Sequence, residues 1–331
     1  LRSAIDTARD ALNNGEIVCI FPEGRISPSG QLQTFKPGVL EILKGSTAEV
    51  IPVYLDELWG SIFSFRGGKL FAKSPELSPR RVSIWFGEPL HEPGSAYEIR
   101  NAVQALGALA VTRRKQRAMV LPRLMIRKCR KAMFRWKIAD SSGQSLTGAQ
   151  ILMRALILRR LLLREVFAPK VADEKYIGIL LPPSNGAVLV NAAVTLCGRV
   201  ACNLNYTVSA EIMNKCIAKA GIKHVLTSQK VLDKLGMKLD AKVILLEDFK
   251  AKLTTADKLT SAAMAYAMPA ALLDRALGLH RMSGDDELTV IFTSGSTGEP
   301  KGVVLTHHNV GSNVEAILQA VHLRRDDTVL G

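Results

Sequence analysis

The chain has 331 residues, 47% hydrophobic and 22% charged, a balance that excludes intrinsic disorder and at this length predicts about two domains, each with its own core. A formal net charge of +14 points to an anionic partner: nucleic acid, an acidic membrane surface or phosphate-bearing substrates. Aromatic residues make up only 5%, which argues against nucleic acid.

Residues 17–21 (IVCIF) form an apolar run that leads into Pro22-Glu23-Gly24, and residues 50–55 (VIPVYL) form a second, with a polar, Gly-containing segment between them. The spacing predicts strand, loop, helix, strand. Residues 82–86 (VSIWF) alternate ahead of Gly87-Glu88-Pro89, predicting a third strand and an α/β unit over residues 1–111. Residues 112–138 then hold eleven Lys or Arg and no acid, with Met, Leu, Ile, Phe and Trp between the charges. Two readings fit this segment. A basic amphipathic stretch lies on an anionic bilayer, each basic residue contributing about 1 kcal/mol, or an exposed linker simply has its charges solvated. Pro122 argues against one uninterrupted helix.

Residues 149–167 predict a helix whose Leu-rich face is punctuated by Arg154, Arg159, Arg160 and Arg164. Beyond it, apolar runs at 177–181, 225–227 and 243–246 alternate with helical stretches at 187–196 and 210–220. Strands alternating with helices imply a mostly parallel sheet covered on both faces, here over residues 139–331. No internal repeat is visible. The five cysteines (Cys19, Cys129, Cys197, Cys202, Cys216) are scattered and lack CxxC spacing, which fits a reducing compartment with neither a disulfide framework nor a zinc site. Cys197 and Cys202 lie in apolar sequence and read as buried small residues rather than reactive thiols. No apolar run reaches transmembrane length, and the start Leu1-Arg2-Ser3 carries no signal-peptide pattern. The sequence looks like an excised piece of a longer protein.

The β-type run at 288–292 passes directly into Thr293-Ser294-Gly295-Ser296-Thr297-Gly298-Glu299-Pro300-Lys301-Gly302. Glycines allow close backbone approach, hydroxyls and amides donate to phosphate oxygens, and lysine offsets negative charge. The Walker A pattern fails because Pro300 stands where its second glycine belongs. With Val290 ahead and Thr306-His307 behind, the segment resembles the first core motif of the adenylate-forming superfamily of acyl-CoA synthetases, acyl-carrier-protein synthetases and related ligases. The 176–184 stretch resembles that family's early strand and turn, and residues 198–205 a later element. The resemblance implies that Thr293, Ser294, Gly295, Ser296, Thr297, Gly298 and Lys301 bind the phosphates of ATP, with Mg2+. A carboxylate then attacks the α-phosphate to give an acyl-adenylate and pyrophosphate. The family's later motifs, its catalytic lysine among them, lie beyond Gly331, so these residues alone are expected not to complete the cycle.

Phe21-Pro22-Glu23-Gly24-Arg25 places an acid and an arginine in a turn at a predicted strand end, where arginine's fork suits a phosphate; a surface turn with a salt bridge is the plainer reading. The block is similar to the third motif of glycerophosphate and lysophospholipid acyltransferases, and residues 50–53 (VIPV) to the fourth. Its Gly24-Arg25 order, with Gly30 and Phe35-Lys36-Pro37-Gly38, resembles the acyltransferase half of bacterial acyltransferase/acyl-carrier-protein synthetase fusions. That resemblance implies an acyl-acceptor and phosphate site at Glu23, Gly24 and Arg25. The family's catalytic His-x4-Asp lies upstream of this block. The spacings His280–Asp285 and His322–Asp327 match it in the wrong place and read as surface pairs, and His307 and His308 read as packing residues. The catalytic residues of both reactions are therefore expected outside these 331 residues.

Together the motifs imply the C-terminal part of an acyltransferase α/β domain, a basic linker and the N-terminal part of an AMP-binding α/β domain. Expected partners are a fatty acid, acyl carrier protein or coenzyme A, a lysophospholipid and an anionic membrane surface, at the cytoplasmic face of the inner membrane. A stand-alone long-chain acyl-CoA ligase, or a non-catalytic module for anionic membranes, is the alternative.

Overall fold

The parallel sheet expected in the C-terminal part is present in the computed structural model, which describes residues 2–65, 70, 81–113, 119–167, 174–294, 299–321 and 327–329. The chain divides into one unit comprising Leu1–Lys115 and Asn313–Val329 and another comprising Gln116–Ser312 and Leu330–Gly331.

The first unit contains α1 (Arg2–Asn13), α2 (Gly38–Leu43), β1 (Val53–Asp56), β2 (Ser83–Phe86) and α3 (Ala96–Arg113). β1 and β2 run antiparallel from Val53 opposite Phe86 to Asp56 opposite Ser83, and a bridge between Val50 and Leu90 prolongs the pairing. Phe35, Val39, Ile99 and Val103 form the core between α2, α3 and this ribbon. The strand expected at residues 17–21 is not formed. Ile17 is 99% and Phe21 70% exposed, and among the described residues no neighbouring strand completes a ladder with the run. An apolar alternation becomes a strand only when a second backbone takes up its donors and acceptors.

The second unit opens with α4 (Leu121–Lys131), the hairpin of β3 (Trp136–Ala139) and β4 (Ser145–Thr147), and α5 (Gly148–Glu165). There follow β5 (Tyr176–Ile179), α6 (Asn185–Leu196), β6 (Val200–Asn203), α7 (Ala210–Ala220), β7 (His224–Thr227), α8 (Gln229–Leu235) and β8 (Lys242–Leu245). After α9 (Asp248–Lys252), α10 (Thr255–Tyr266) and α11 (Ala270–Ala276) come β9 (Glu287–Ser294), β10 (Pro300–Thr306) and the start of α12 (His307–Ala320), whose residues from Asn313 on are counted with the first unit. The six-stranded sheet has the order β10-β9-β6-β5-β7-β8, parallel throughout except that β10 returns antiparallel to β9. All four residues of β7 are buried, as befits a strand covered on both faces. Hydroxyl caps start the helices where the sequence offers them: Ser184, Ser209 and Ser228 each accept from a backbone N–H three residues on, and Thr147 and Thr254 form complete capping boxes. Gly221, at φ +63°, ends α7 in the left-handed conformation that glycine adopts without strain.

The expectation of a basic linker over residues 112–138 needs correction. Residues 112–113 close α3, and α4 packs its Ile126 and Cys129 against Leu152 and Leu156 of α5. A Cβ on Gly148 would come within 2.4 Å of the Cys129 carbonyl oxygen, so the two helices meet where only glycine fits. Arg123 makes a bidentate pair with Asp274 of α11, and Arg130 donates to the Ala265 carbonyl at 2.7 Å. Periodic apolar residues between the charges bury one face of α4. Pro122 sits in its first turn, where a missing N–H costs nothing.

Arg160 and Arg164 of α5, two of the arginines that punctuate its Leu-rich face, converge on Asp257 of α10 at 3.0 and 3.1 Å. The Asp257 side chain is 1% exposed. Burial opposes its charge, but hydrogen bonds from Arg160, Thr254 and Arg164 prevail and hold the carboxyl well below its ordinary range. A depressed carboxylate stabilises the fold above the unfolded aspartate pKa of about 4 and loses that contribution as the pH falls below it. Asp257→Ala is expected to lower the unfolding free energy by about 2 kcal/mol or more near pH 7, measured by denaturant titration, and to flatten the acid limb of stability below about pH 4.

Candidate nucleotide and acceptor sites

β9 lies in the sheet with Cys202 of β6 opposite its Val290, and the chain leaves it at the carboxyl end of the parallel strands, the end at which open α/β sheets bind ligands. It returns as β10 in a register that sets Lys301 directly across from Thr293 and Pro300 across from Ser294. Directly opposed residues of an antiparallel pair project from the same face, so the Thr293 hydroxyl and the Lys301 ammonium share one exposed surface. Gly302 stands opposite Phe292, and a Cβ there would come within 3.3 Å of the Phe292 ring and of Val290. Ser294 ends β9; its side chain and Gly295, Ser296, Thr297 and Gly298 lie outside the described residues.

Two lysines one turn apart on α7 brace the returning strand, and sequence reasoning missed both. Lys219 donates to the Pro300 carbonyl at 3.1 Å, and Lys215 lies 3.7 Å from the Glu299 carboxylate. Their i, i+4 spacing was the available signal, but it named no partner some eighty residues away. The paired hydroxyl and cation at 293 and 301 fit a polyphosphate. Among the described residues no three His, Cys, Asp or Glu are grouped to hold a metal.

At the second candidate site, Gly24 N–H donates to the Phe21 carbonyl at 2.9 Å and closes a turn. Gly24 has φ +67°, and its missing Cβ leaves room for Lys36, whose Nζ would lie 2.8 Å from such an atom. Gln33 organises the neighbourhood. Its N–H donates to Glu23 Oε2 at 2.8 Å, its Oε1 accepts from Arg25 at 3.4 Å, and its Nε2 donates to the Gln31 carbonyl at 2.9 Å. Arg100 of α3 in turn donates to the Gln33 and Leu32 carbonyls at 2.9 and 3.1 Å. Sequence reading singled out Glu23, Gly24 and Arg25; Gln33 and Arg100, which hold them, carry no local pattern that would reveal it. The predicted salt bridge within the turn is absent among the described residues, since Glu23 is taken up by a backbone amide instead.

The remaining candidates are structural. Burial pushes the thiols of Cys197 and Cys202 up to about 12 and that of Cys129 up to about 11. His307 is buried, its Nδ1 accepts from the Leu121 N–H at 3.3 Å, and burial holds its pKa below the ordinary value. No hydrogen bond joins His280 to Asp285 among the described residues, and His322 lies outside them.

Two outcomes follow. Gly24→Ala is expected to cost about 1 kcal/mol of stability, because an L-residue is strained at positive φ, and to displace Lys36; denaturant unfolding reads the first effect. Alkylation of the native protein near neutral pH, followed by peptide mass spectrometry, is expected to mark exposed Cys19 at least about tenfold faster than Cys129, Cys197 or Cys202.

Residues 126–331 match the AMP-binding enzyme family and residues 1–56 the Acyltransferase family. A stretch of 52 residues is 42% identical to the hybrid PKS-NRPS synthetase poxE of Penicillium oxalicum, covering 16% of this chain and 1% of that protein. A longer stretch of 154 residues is 29% identical to 4-coumarate–CoA ligase-like 4 of Oryza sativa subsp. japonica, covering 46% of this chain and 28% of that one. Among solved structures, VinN in complex with 3-methylaspartate is 22% identical with a TM-score of 0.45, covering 60% of this chain and 51% of that chain. The N-terminal subdomain of Klebsiella oxytoca NpsA with 3-hydroxybenzoyl-AMSN is 15% identical with a TM-score of 0.42, covering 56% and 40%. The chain thus spans a small part of the curated relatives it matches. The family match at 126–331 takes in more than half of the chain, including the sheet and the hairpin that pairs Thr293 with Lys301: the chain belongs to the AMP-binding enzyme family.

Proposed function

We propose that the protein activates a fatty acid with ATP, passes the acyl group to the thiol of an acyl carrier protein, and transfers it to a lysophospholipid. The observation that carries this reading is the presence in one chain of an AMP-binding match at 126–331 and an acyltransferase match at 1–56, each containing one of the two candidate sites. In the first step a carboxylate oxygen attacks the α-phosphorus of ATP and the bond to the β-phosphate breaks, so pyrophosphate leaves and an acyl-adenylate remains. Charge then accumulates on the departing phosphates, and a hydroxyl and an ammonium fixed on one face of a hairpin can disperse it. In the second step the thiol attacks the acyl carbonyl and AMP leaves. In the third a lysophospholipid hydroxyl attacks the thioester and the thiol leaves, with Arg25 on the acceptor's phosphate.

The same reading assigns ATP and Mg2+ as cofactors and a peripheral position at the cytoplasmic face of the inner membrane. No helix among the described residues is long and apolar enough to cross a membrane, and the charge of +14 suits attraction to anionic lipid.

ATP–pyrophosphate exchange by the intact protein tests the first step. Exchange is expected to depend on a long-chain fatty acid and to fall at least about tenfold in Lys301→Met, the loss of one charged contact to a transferring phosphate. Exchange that ignores fatty acids and responds to an amino or aromatic acid would refute the assigned substrate. If coenzyme A is charged and the carrier protein is not, the protein is a long-chain acyl-CoA ligase instead.

A further inference from the structure

The acid-free stretch that begins the second unit divides its basic residues between two tasks. Residues 119–167 are described without a break. α4 turns Pro122, Ile126 and Cys129 inward, and Arg123 and Arg130 are taken up by Asp274 and the Ala265 carbonyl. Arg127, Lys128 and Lys131 occupy the opposite side of the helix, and Arg135 and Lys137 follow it; all five are exposed, and none forms an ion pair among the described residues. Residues 121–139 contain no acid. Asp140, which comes next, is occupied: its Oδ1 accepts from Ser142 and its Oδ2 from the Asn185 N–H at 3.0 Å. Among these cations stand Phe134, 79% exposed, and Trp136, 67% exposed. Phe134 is the most exposed large apolar side chain described in the second unit. Like charges held side by side without a counter-ion repel one another, and an aromatic ring left in water forgoes the free energy of burial.

We infer that this side of the second unit is a docking surface for an anionic lipid bilayer, with the five free cations against the headgroups and Phe134 and Trp136 inserted at the interface. The inference rests on the peripheral position proposed above and deepens it by naming the residues that meet the lipid. Their arrangement is the reverse of an amphipathic helix lying in a membrane. α4 buries its apolar face against α5, so its charged side faces the lipid and the two rings after it supply the apolar contact. Each basic residue near such a surface raises partitioning about fivefold. An indole suits the headgroup level, where its ring is in an apolar layer and its N–H still meets water. Single-stranded nucleic acid also offers phosphates and stacking, but its binders track the backbone along a groove, whereas the fatty acid and lysophospholipid of the proposed reaction partition into bilayers.

Sedimentation of the intact protein with vesicles tests this, using phosphatidylcholine alone and phosphatidylcholine mixed with an equal share of phosphatidylglycerol. The wild type is expected to partition at least about tenfold better onto the anionic vesicles and to leave them as salt rises. Lys128→Gln combined with Lys131→Gln is expected to lower partitioning onto anionic vesicles at least about tenfold and to leave neutral vesicles unaffected, while Lys128→Arg with Lys131→Arg keeps wild-type binding. Phe134→Ser with Trp136→Ser is expected to lower partitioning onto both kinds of vesicle about tenfold. Brominated lipid is expected to quench part of the tryptophan emission, a part that Trp136→Phe removes while vesicle binding persists. Wild-type partitioning by the glutamine pair or by the serine pair overturns the surface, as does quenching in Trp136→Phe equal to that of the wild type. Tighter binding to single-stranded RNA than to anionic vesicles at the same salt, lost in both pairs, assigns the surface to nucleic acid and overturns the lipid reading. Pyrophosphate exchange with a monomeric fatty acid is expected to be unchanged in every variant. Vesicle binding as expected without exchange by the wild type refutes the assigned chemistry and leaves the surface standing, and exchange without vesicle binding overturns the surface alone.

Discussion

The register of one antiparallel pair governs what the second unit can do. β9 is locked into a parallel sheet beside β6, and β10 folds back on it so that Lys301 faces Thr293. Side chains alternate faces along a strand, so a slip of one residue would put the lysine and the threonine on opposite sides and dissolve the charged surface. Several features oppose that slip. Gly302 fits against Phe292 where a side chain would crowd the ring, Lys219 ties down the Pro300 carbonyl, and Thr289 donates to the Ala201 carbonyl at 2.6 Å. Polar chemistry is thus positioned by apolar packing and by backbone hydrogen bonds some distance from it.

Basic residues show how little net charge says about partners until their contacts are known. Several of those that give the chain its charge of +14 serve the fold. Arg123, Arg130, Arg160 and Arg164 join helices by pairing with Asp274, the Ala265 carbonyl and Asp257. Removing such groups from the tally leaves cations that form no ion pair among the described residues, among them Arg25, Lys36 and Lys301. An anionic ligand would meet the protein at those places.

Much of the second unit was legible because its elements announce themselves locally. Short apolar runs at 177–181, 225–227 and 243–246 became β5, β7 and β8, and the helical stretches at 187–196 and 210–220 became α6 and α7. The loop at 293–302 stands out by its density of Gly, Ser, Thr and Lys and lies within the AMP-binding family match at 126–331. What was illegible was non-local. Residues 17–21 looked like a strand but lack a ladder among the described residues, and α4 looked like a linker because the core it packs against is supplied by α5. Gln33 and Arg100 show no motif; their importance comes from reaching Glu23, Arg25 and the Gln33 carbonyl across up to 67 positions of sequence.

The face shared by Thr293 and Lys301 is proposed to receive the phosphates of ATP. A crystal structure of the intact protein with a non-hydrolysable ATP analogue tests it most directly. The β- and γ-phosphate oxygens are expected within hydrogen-bonding distance of the Thr293 hydroxyl and Lys301 Nζ, with the register of β9 and β10 unchanged. A triphosphate bound elsewhere, or a Lys301 side chain turned away from it, would mean that this face is not the phosphate site.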